Sequence, residues 1–247
     1  MSRFDRGVGL VRSLAIYHAI PFRQQRLRRL YGHFVEAGDL VFDIGAHAGN
    51  RVRAFAALGC RVVAIEPQPD FARLLRALFA RSPRVNVIEA AVADVCGRRP
   101  LSVSERTPTV TTLATDWRDA RAGDPDFDRV RWNRQIDVET TTLDSLIDRF
   151  GTPAFVKIDV EGSEPAVLAG LGRPVPALSF EYLPRALQDV QRCLTRLSAL
   201  GSYQFKWSVG ESNQLASGEW LDAGELIAAL RTPVAQQRAG DVYARLI

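Results

Sequence analysis

Cysteine is scarce in this chain of 247 residues: Cys60, Cys96 and Cys193 are the three, and none belongs to a C-x-x-C pair. An odd, dispersed set builds neither a zinc site nor a disulfide framework, and it predicts buried thiols in a cytoplasmic protein. Long apolar runs are lacking as well. The stretch GVGLVRSLAIYHAI is interrupted by Arg12, has no A-x-A-like cleavage site and falls short of the roughly 20 apolar residues of a spanning helix, so neither a membrane span nor a secretory leader is expected. G-x-x-x-x-G-K-[ST] is absent, which removes a P-loop NTPase. Acids are nearly missing from the start, where the first thirty residues carry seven arginines against Asp5. Such an arm can meet a nucleic acid or an anionic membrane, but a solvated helix face is the simpler account.

What is present is the material of one globular domain: 47% hydrophobic residues supply a sizeable core, and 24% charged residues with a net charge of +4 argue against disorder. Residues 8–36 read as two helices separated by Pro21, a helical cap over positions 1–37 in which His18 and His33 serve packing. The main domain, 38–247, then alternates. LVFDIGA, RVVAIEP and VNVIEAAV (85–92) are short apolar strands, with a helix over RVRAFAAL and another entered through Asp70 between them. This βαβαβ pattern predicts a parallel sheet whose ligands bind at the carboxyl ends of the strands. PLSVSE and IDVETTTL predict an antiparallel pair enclosing a polar insertion, about 106–134, the chain's candidate for a mobile lid. FVKIDV, ALSFEY, YQFKWSV and DVYARLI continue the sheet, with the last strand returning antiparallel to its end.

The turn VFDIGAHAGN, 41–50, carries Asp43, Gly45 and Gly49. A dinucleotide fingerprint needs glycine at the second and third positions, where this chain has His47 and Asn50. His47 would fill the space of a pyrophosphate and Asp43 would repel it. An acid here suits a cationic amino group, so the turn reads as built for a nucleoside without phosphates. Glu66, closing the second strand 21 residues beyond Gly45, stands where such folds place the acceptor for ribose hydroxyls.

A second group of acids follows: Asp159, Glu161 and Glu164 at one strand end in KIDVEGSEP, and Glu181 at the next in SFEY. Glu164, before Pro165, reads as a first-turn helix acid. Asp159 and Glu181 can take a proton from a substrate hydroxyl or bind Mg²⁺ or Ca²⁺ through oxygen. The general base is favoured over the metal, since two acids are a thin ligand set. Glu161 is as well explained by a pairing with Lys157 or by capping the turn at Gly162.

Taken together, VFDIGAHAGN, AIEPQPD, VETTTLDSLI, FVKIDVEGSEPAVLAGL and SFEY resemble the FkbM family of S-adenosylmethionine-dependent methyltransferases, in order from about residue 38 to 185. The resemblance implies a Rossmann-like class I methyltransferase fold, α/β, with a mostly parallel sheet of about seven strands and helices on both faces. It implies S-adenosylmethionine as cofactor. Asp43, Gly45, His47, Gly49 and Asn50 would line its methionine side, Glu66 and Pro67 its ribose, and Ala91 and Asp94 its adenine, with His47 where the family often has asparagine. It also implies O-methylation of a hydroxyl on a sugar, glycan or related natural product, the oxygen displacing the cofactor's sulfur in line, with Asp159, Glu161 and Glu181 as the acids beside the acceptor. Two other readings stand beside it. One is a nucleic-acid methyltransferase using the arginine arm, disfavoured because no [DNS]-PP-[YF] turn is present; the other is a cofactor-binding partner protein without catalysis.

Overall fold

The computed structural model describes residues 22–247 apart from 122, 123, 125, 126, 128, 129 and 217. The expected first cap helix and His18 lie outside the described residues. The second is α1 (Arg23–Tyr31), which sends Leu27, Leu30 and Tyr31 into the core. His33, expected to pack, instead stands exposed in the turn after it.

The chain then alternates through β1 (Leu40–Ile44), α2 (Asn50–Ala57), β2 (Arg61–Ile65), α3 (Pro69–Leu78) and β3 (Val85–Ile88). Helix α3 begins one residue before Asp70: Pro69 takes the first turn, where its missing N–H costs nothing, and Asp70 follows inside that turn. The single strand expected over 85–92 breaks after Ile88. Ala91–Val92 forms β4 and pairs with another sheet, leaving Ala90 and Ala91 to face a crevice.

That other sheet has three strands, β4, β5 (Gly97–Val103) and β6 (Arg134–Thr141), in the order β4-β6-β5. β5 and β6 run antiparallel, with Arg99 opposite Val138, as the two flanking segments predict. Between them lies α4 (Thr115–Ala120). The second half contributes α5 (Leu143–Phe150), β7 (Phe155–Ile158), α6 (Glu164–Ala169), β8 (Ala177–Tyr182), α7 (Leu187–Leu200), β9 (Tyr203–Val209), α8 (Ala223–Leu230) and β10 (Gly240–Leu246). Thr142 caps α5 by accepting from the Ser145 N–H, and Asp222 with Glu225 forms a capping box on α8.

The main sheet has seven strands in the order β3-β2-β1-β7-β8-β10-β9. β10 is antiparallel to both neighbours, as expected, but it does not return to the end of the sheet: it inserts between β8 and β9, making β9 the edge. Alternation along β1 explains the two cores. Leu40, Phe42 and Ile44 pack on one face with α5, α6 and α7, while Val41 packs on the other with Phe55 of α2 and Tyr31 of α1. The order reverses at β1, whose neighbours β2 and β7 belong to the two halves of the chain, and a crevice opens beside its carboxyl end. Among the described residues no helix is long and apolar enough to cross a membrane.

Candidate active site

The crevice, with the solvent at its open mouth, spans about 830 Å³ and is lined by residues of β1, the β1–α2 turn, the end of β2, the β7 loop and the insertion. Asp43, at the end of β1, shares its side of the sheet with Val41 and is 1% exposed. Burial pushes its carboxyl up to about 6 against the pull of Arg51, Lys157 and the Val52 backbone N–H, and no side chain among the described residues hydrogen-bonds either carboxylate oxygen. Next to it the backbone must come very close to the β7 loop. A Cβ on Gly45, whose φ is +79°, would lie 1.9 Å from the carbonyl oxygen of Asp159, so only glycine fits.

Glu66 organises the turn. The backbone N–H groups of His47 and Gln68 donate to its two oxygens at 2.8 and 2.9 Å, and the Gln68 side chain adds a further donor, which still leaves the carboxylate acceptor capacity for a hydroxyl. Burial raises its carboxyl to about 7, despite those donors. His47 has a φ of +46° and stacks on Phe71 with ring centroids 4.0 Å apart. Burial holds its imidazole down at about 4, so it lines the crevice as a neutral ring. Asn50, Pro67 and Ala91 also line the crevice. Gly49 and Asp94 do not: Gly49 caps α2 against Leu75 of α3 and Phe79 just after it, and Asp94 pairs with Arg99 at 2.6 Å.

The three acids at the ends of β7 and β8 do come together. Asp159, Glu161 and Glu181 each place a carboxylate oxygen within 4.8 Å of the others, all half-buried. Their electrostatics differ. Burial pushes Asp159 up, but the cations of Lys157 and Arg51 outweigh it and hold the carboxyl below the usual range. Arg51 Nη1 lies 3.1 Å from Asp159 Oδ2, and Lys157 Nζ lies 3.7 Å from the same oxygen. Glu161 and Glu181 are pushed well above their ordinary value by burial and by the neighbouring carboxylates. Lys157 does not choose Glu161 as its ion-pair partner; it pairs with Asp241 of β10 at 2.8 Å. Glu164 begins α6 as expected, and its buried carboxylate, raised to about 7 by burial, accepts from the Val160 N–H at 3.1 Å.

Three contributors carried no readable signal in sequence. Arg51 is one more arginine on a short helix until the fold sets it against Asp159. Gln68 reaches the insertion with its side-chain amide, donating to the Pro108 carbonyl oxygen at 3.3 Å. The insertion itself forms part of the wall: Pro108 to Thr112 turn back along β5, where Ser102 and Thr112 bridge, and Thr112 Oγ1 donates to the Glu161 carbonyl oxygen at 2.7 Å. Trp117 then lies on Gly162, where an added Cβ would come within 2.2 Å of the indole. Trp117, Phe127 and Trp132 cluster edge-to-face and stacked, so this polar stretch carries an aromatic core of its own.

The residues fit S-adenosylmethionine. Asp43 offers a buried carboxylate with no side-chain partner where a cationic group is needed, and Glu66 keeps acceptor capacity for ribose. No curated protein sequence matches the chain. Among solved structures, an O-methyltransferase from Bacillus cereus, in complex with SAH, aligns at 15% identity and a TM-score of 0.48, over 100% of this chain and 92% of that one. Precorrin-6y C5,15-methyltransferase from Geobacter metallireducens aligns at 13% identity and a TM-score of 0.47, over 91% of this chain and 86% of that one. The Methyltransferase FkbM domain matches residues 43–231, from the first acid of the crevice to the end of α8. The chain belongs to the FkbM methyltransferase family and is an S-adenosylmethionine-dependent enzyme.

Proposed function

We propose that this enzyme methylates a hydroxyl group of a sugar, glycan or related natural product, that Glu161 and Glu181 handle the hydroxyl proton, and that Asp159 beside them orients the site. The observation that carries this is the crowding of those three carboxylates beside the crevice at the ends of adjacent strands. A hydroxyl is a weak nucleophile at neutral pH and needs an acceptor for its proton, which a raised carboxylate supplies.

The bound cofactor supplies an electrophilic methyl group. Asp43 and Asn50 hold its amino-acid end, Glu66 and Pro67 its ribose, and Ala91 with the insertion its adenine. Asp159, kept ionised by Lys157 and Arg51, orients the site rather than accepting the proton. Burial and mutual repulsion raise both Glu161 and Glu181, so the pair holds a proton more readily than an ordinary carboxylate and serves as the acceptor for the hydroxyl proton. Alignment of the two reactants supplies most of the acceleration, since orientation alone is worth about 7–11 kcal/mol.

The same three acids form a plausible oxygen set for Mg²⁺, but a proton-accepting pair explains the raised Glu161 and Glu181 without one. A basic terminal arm gives the nucleic-acid reading less support than the acid cluster gives a neutral acceptor. Within the expected cap of 1–37, α1 covers a catalytic domain of 38–247, and three free cysteines, of which Cys96 is exposed and not buried as expected, support a cytoplasmic setting. The test is incubation with methyl-labelled S-adenosylmethionine and panels of sugars, polyketides and RNA, with and without EDTA, read by mass spectrometry. Label on the oxygen of a small hydroxylated acceptor, undiminished by EDTA, is expected. Label confined to RNA overturns the acceptor class, and loss of transfer in EDTA overturns the metal-free base.

A further inference from the structure

Asn50 opens α2, is 4% exposed and lines the crevice. Its amide is divided between two surroundings. Gln24 of α1 donates its Nε2–H groups to the Asn50 side-chain oxygen at 2.6 Å and to the Asn50 carbonyl oxygen at 3.1 Å. The opposite end, Asn50 Nδ2, is buried with no acceptor among the described residues. Because the amide is planar, holding its oxygen toward α1 turns its N–H₂ away from α1. A buried donor left unpaired is costly, which marks it as a place where an acceptor arrives from outside the chain.

Asp43, on the strand that leads into the same turn, is its complement: two buried acceptor oxygens that no side chain among the described residues pairs, with only the Val52 backbone N–H near them. A buried carboxylate with spare acceptor capacity and an unsatisfied donor at the two ends of one short turn match a zwitterion, with ammonium toward Asp43 and carboxylate toward Asn50. The amino-acid end of S-adenosylmethionine is such a group. We propose that Gln24, outside the matched catalytic region, is a positioning residue for that end: by holding the Asn50 amide oxygen it presents the amide N–H₂ to the cofactor's carboxylate. The inference rests on the S-adenosylmethionine reading and extends it to the cap helix, which thereby sets cofactor affinity without touching the cofactor.

Gln24→Glu is the diagnostic change. It keeps the shape but replaces a donor by an acceptor, so Asn50 must turn its N–H₂ toward α1 and offer its oxygen to the cofactor carboxylate. Calorimetric titration of the full chain with S-adenosylhomocysteine should show affinity weakened roughly tenfold to hundredfold. 5′-Methylthioadenosine, which has the same nucleoside and thioether but no amino-acid end, should bind within about twofold of wild type, and the Asn50→Ala background should abolish the effect of Gln24→Glu. Ligand-free thermal unfolding reports whether each variant folds. Should the Glu variant fail to fold, Gln24→Ala serves with the same two ligands, with a selective loss of about tenfold expected. Unchanged S-adenosylhomocysteine affinity, or equal losses for the two ligands, overturns the positioning role. Wild-type protein that binds neither ligand overturns the cofactor reading beneath it, a result distinct from either of those.

Discussion

At the scale of single residues, the site is a set of carboxylates whose surroundings push them in different directions. Asp43 is raised from an ordinary 3.8 to about 6 by burial. The native protein therefore binds this proton more tightly than the unfolded chain does, and Asp43 lowers stability as pH rises between those two values. A ligand ammonium reverses the preference, because it pairs with the ionised form. Affinity for S-adenosylhomocysteine should accordingly rise as pH goes from about 5 to 7 and level off above. Asp43→Asn should flatten that profile and weaken binding at neutral pH by about tenfold or more. Titration calorimetry across the range checks both, and a pH-independent wild type would remove Asp43 from the ammonium site. The importance of Asp43 and Glu66 was legible because each closes an apolar strand, where a charge has no packing role. Arg51 was not legible, since its partner Asp159 is far away in sequence and only the β1–β7 pairing brings them together.

Among elements, the insertion between β5 and β6 behaves differently from the expectation that its polarity suggests. It packs onto the site through Thr112 on the Glu161 backbone and Trp117, 6% exposed, on Gly162. Gly162 has a φ of +89° and no room for a methyl group, so Gly162→Ala should destabilise the protein by about 1–3 kcal/mol and lift Trp117 from its seat. Limited trypsin digestion should then cut at Arg118 and Arg121 faster than in wild type. An unchanged cleavage pattern would show that the indole contact does not hold the insertion down. The flanking strands could be read from alternation in LSVSE and IDVETTTL. Their cargo could not, because its fold depends on aromatic contacts and on a turn of the catalytic loop rather than on any local period. The break after Ile88 is similar: VNVIEAAV is uniformly strand-like, and only competition from β6 divides it.

On the scale of the whole molecule, Lys157 ties β7, at the centre of the sheet, to β10, its next-but-one neighbour. It is fully buried, and its ammonium reaches across β8 to Asp241 of β10. Burial alone would lower its pKa, but Asp159 and Asp241 together raise it, so the charge is kept. Asp241→Ala should cost about 3 kcal/mol, the low end for breaking a buried pair, because Asp159 remains as a second partner. Urea unfolding measures this, and a loss under about 1 kcal/mol would mean that Asp159 alone satisfies the lysine. FVKIDV announces a charge inside an apolar strand, yet its partner is 84 residues away. The same distance explains the last strand. Its antiparallel direction follows from the short return, whereas its insertion between β8 and β9 follows from Tyr182, Trp207 and Val242 packing into one core. By itself the sequence determined the alternation of strands and helices, the strand-end acids and the family, because these depend on local period and on residues close along the chain. Tertiary structure alone decided which acids meet, which cations hold Asp159 ionised and how the cap and the insertion reach the crevice, because those depend on contacts between segments that no local pattern encodes.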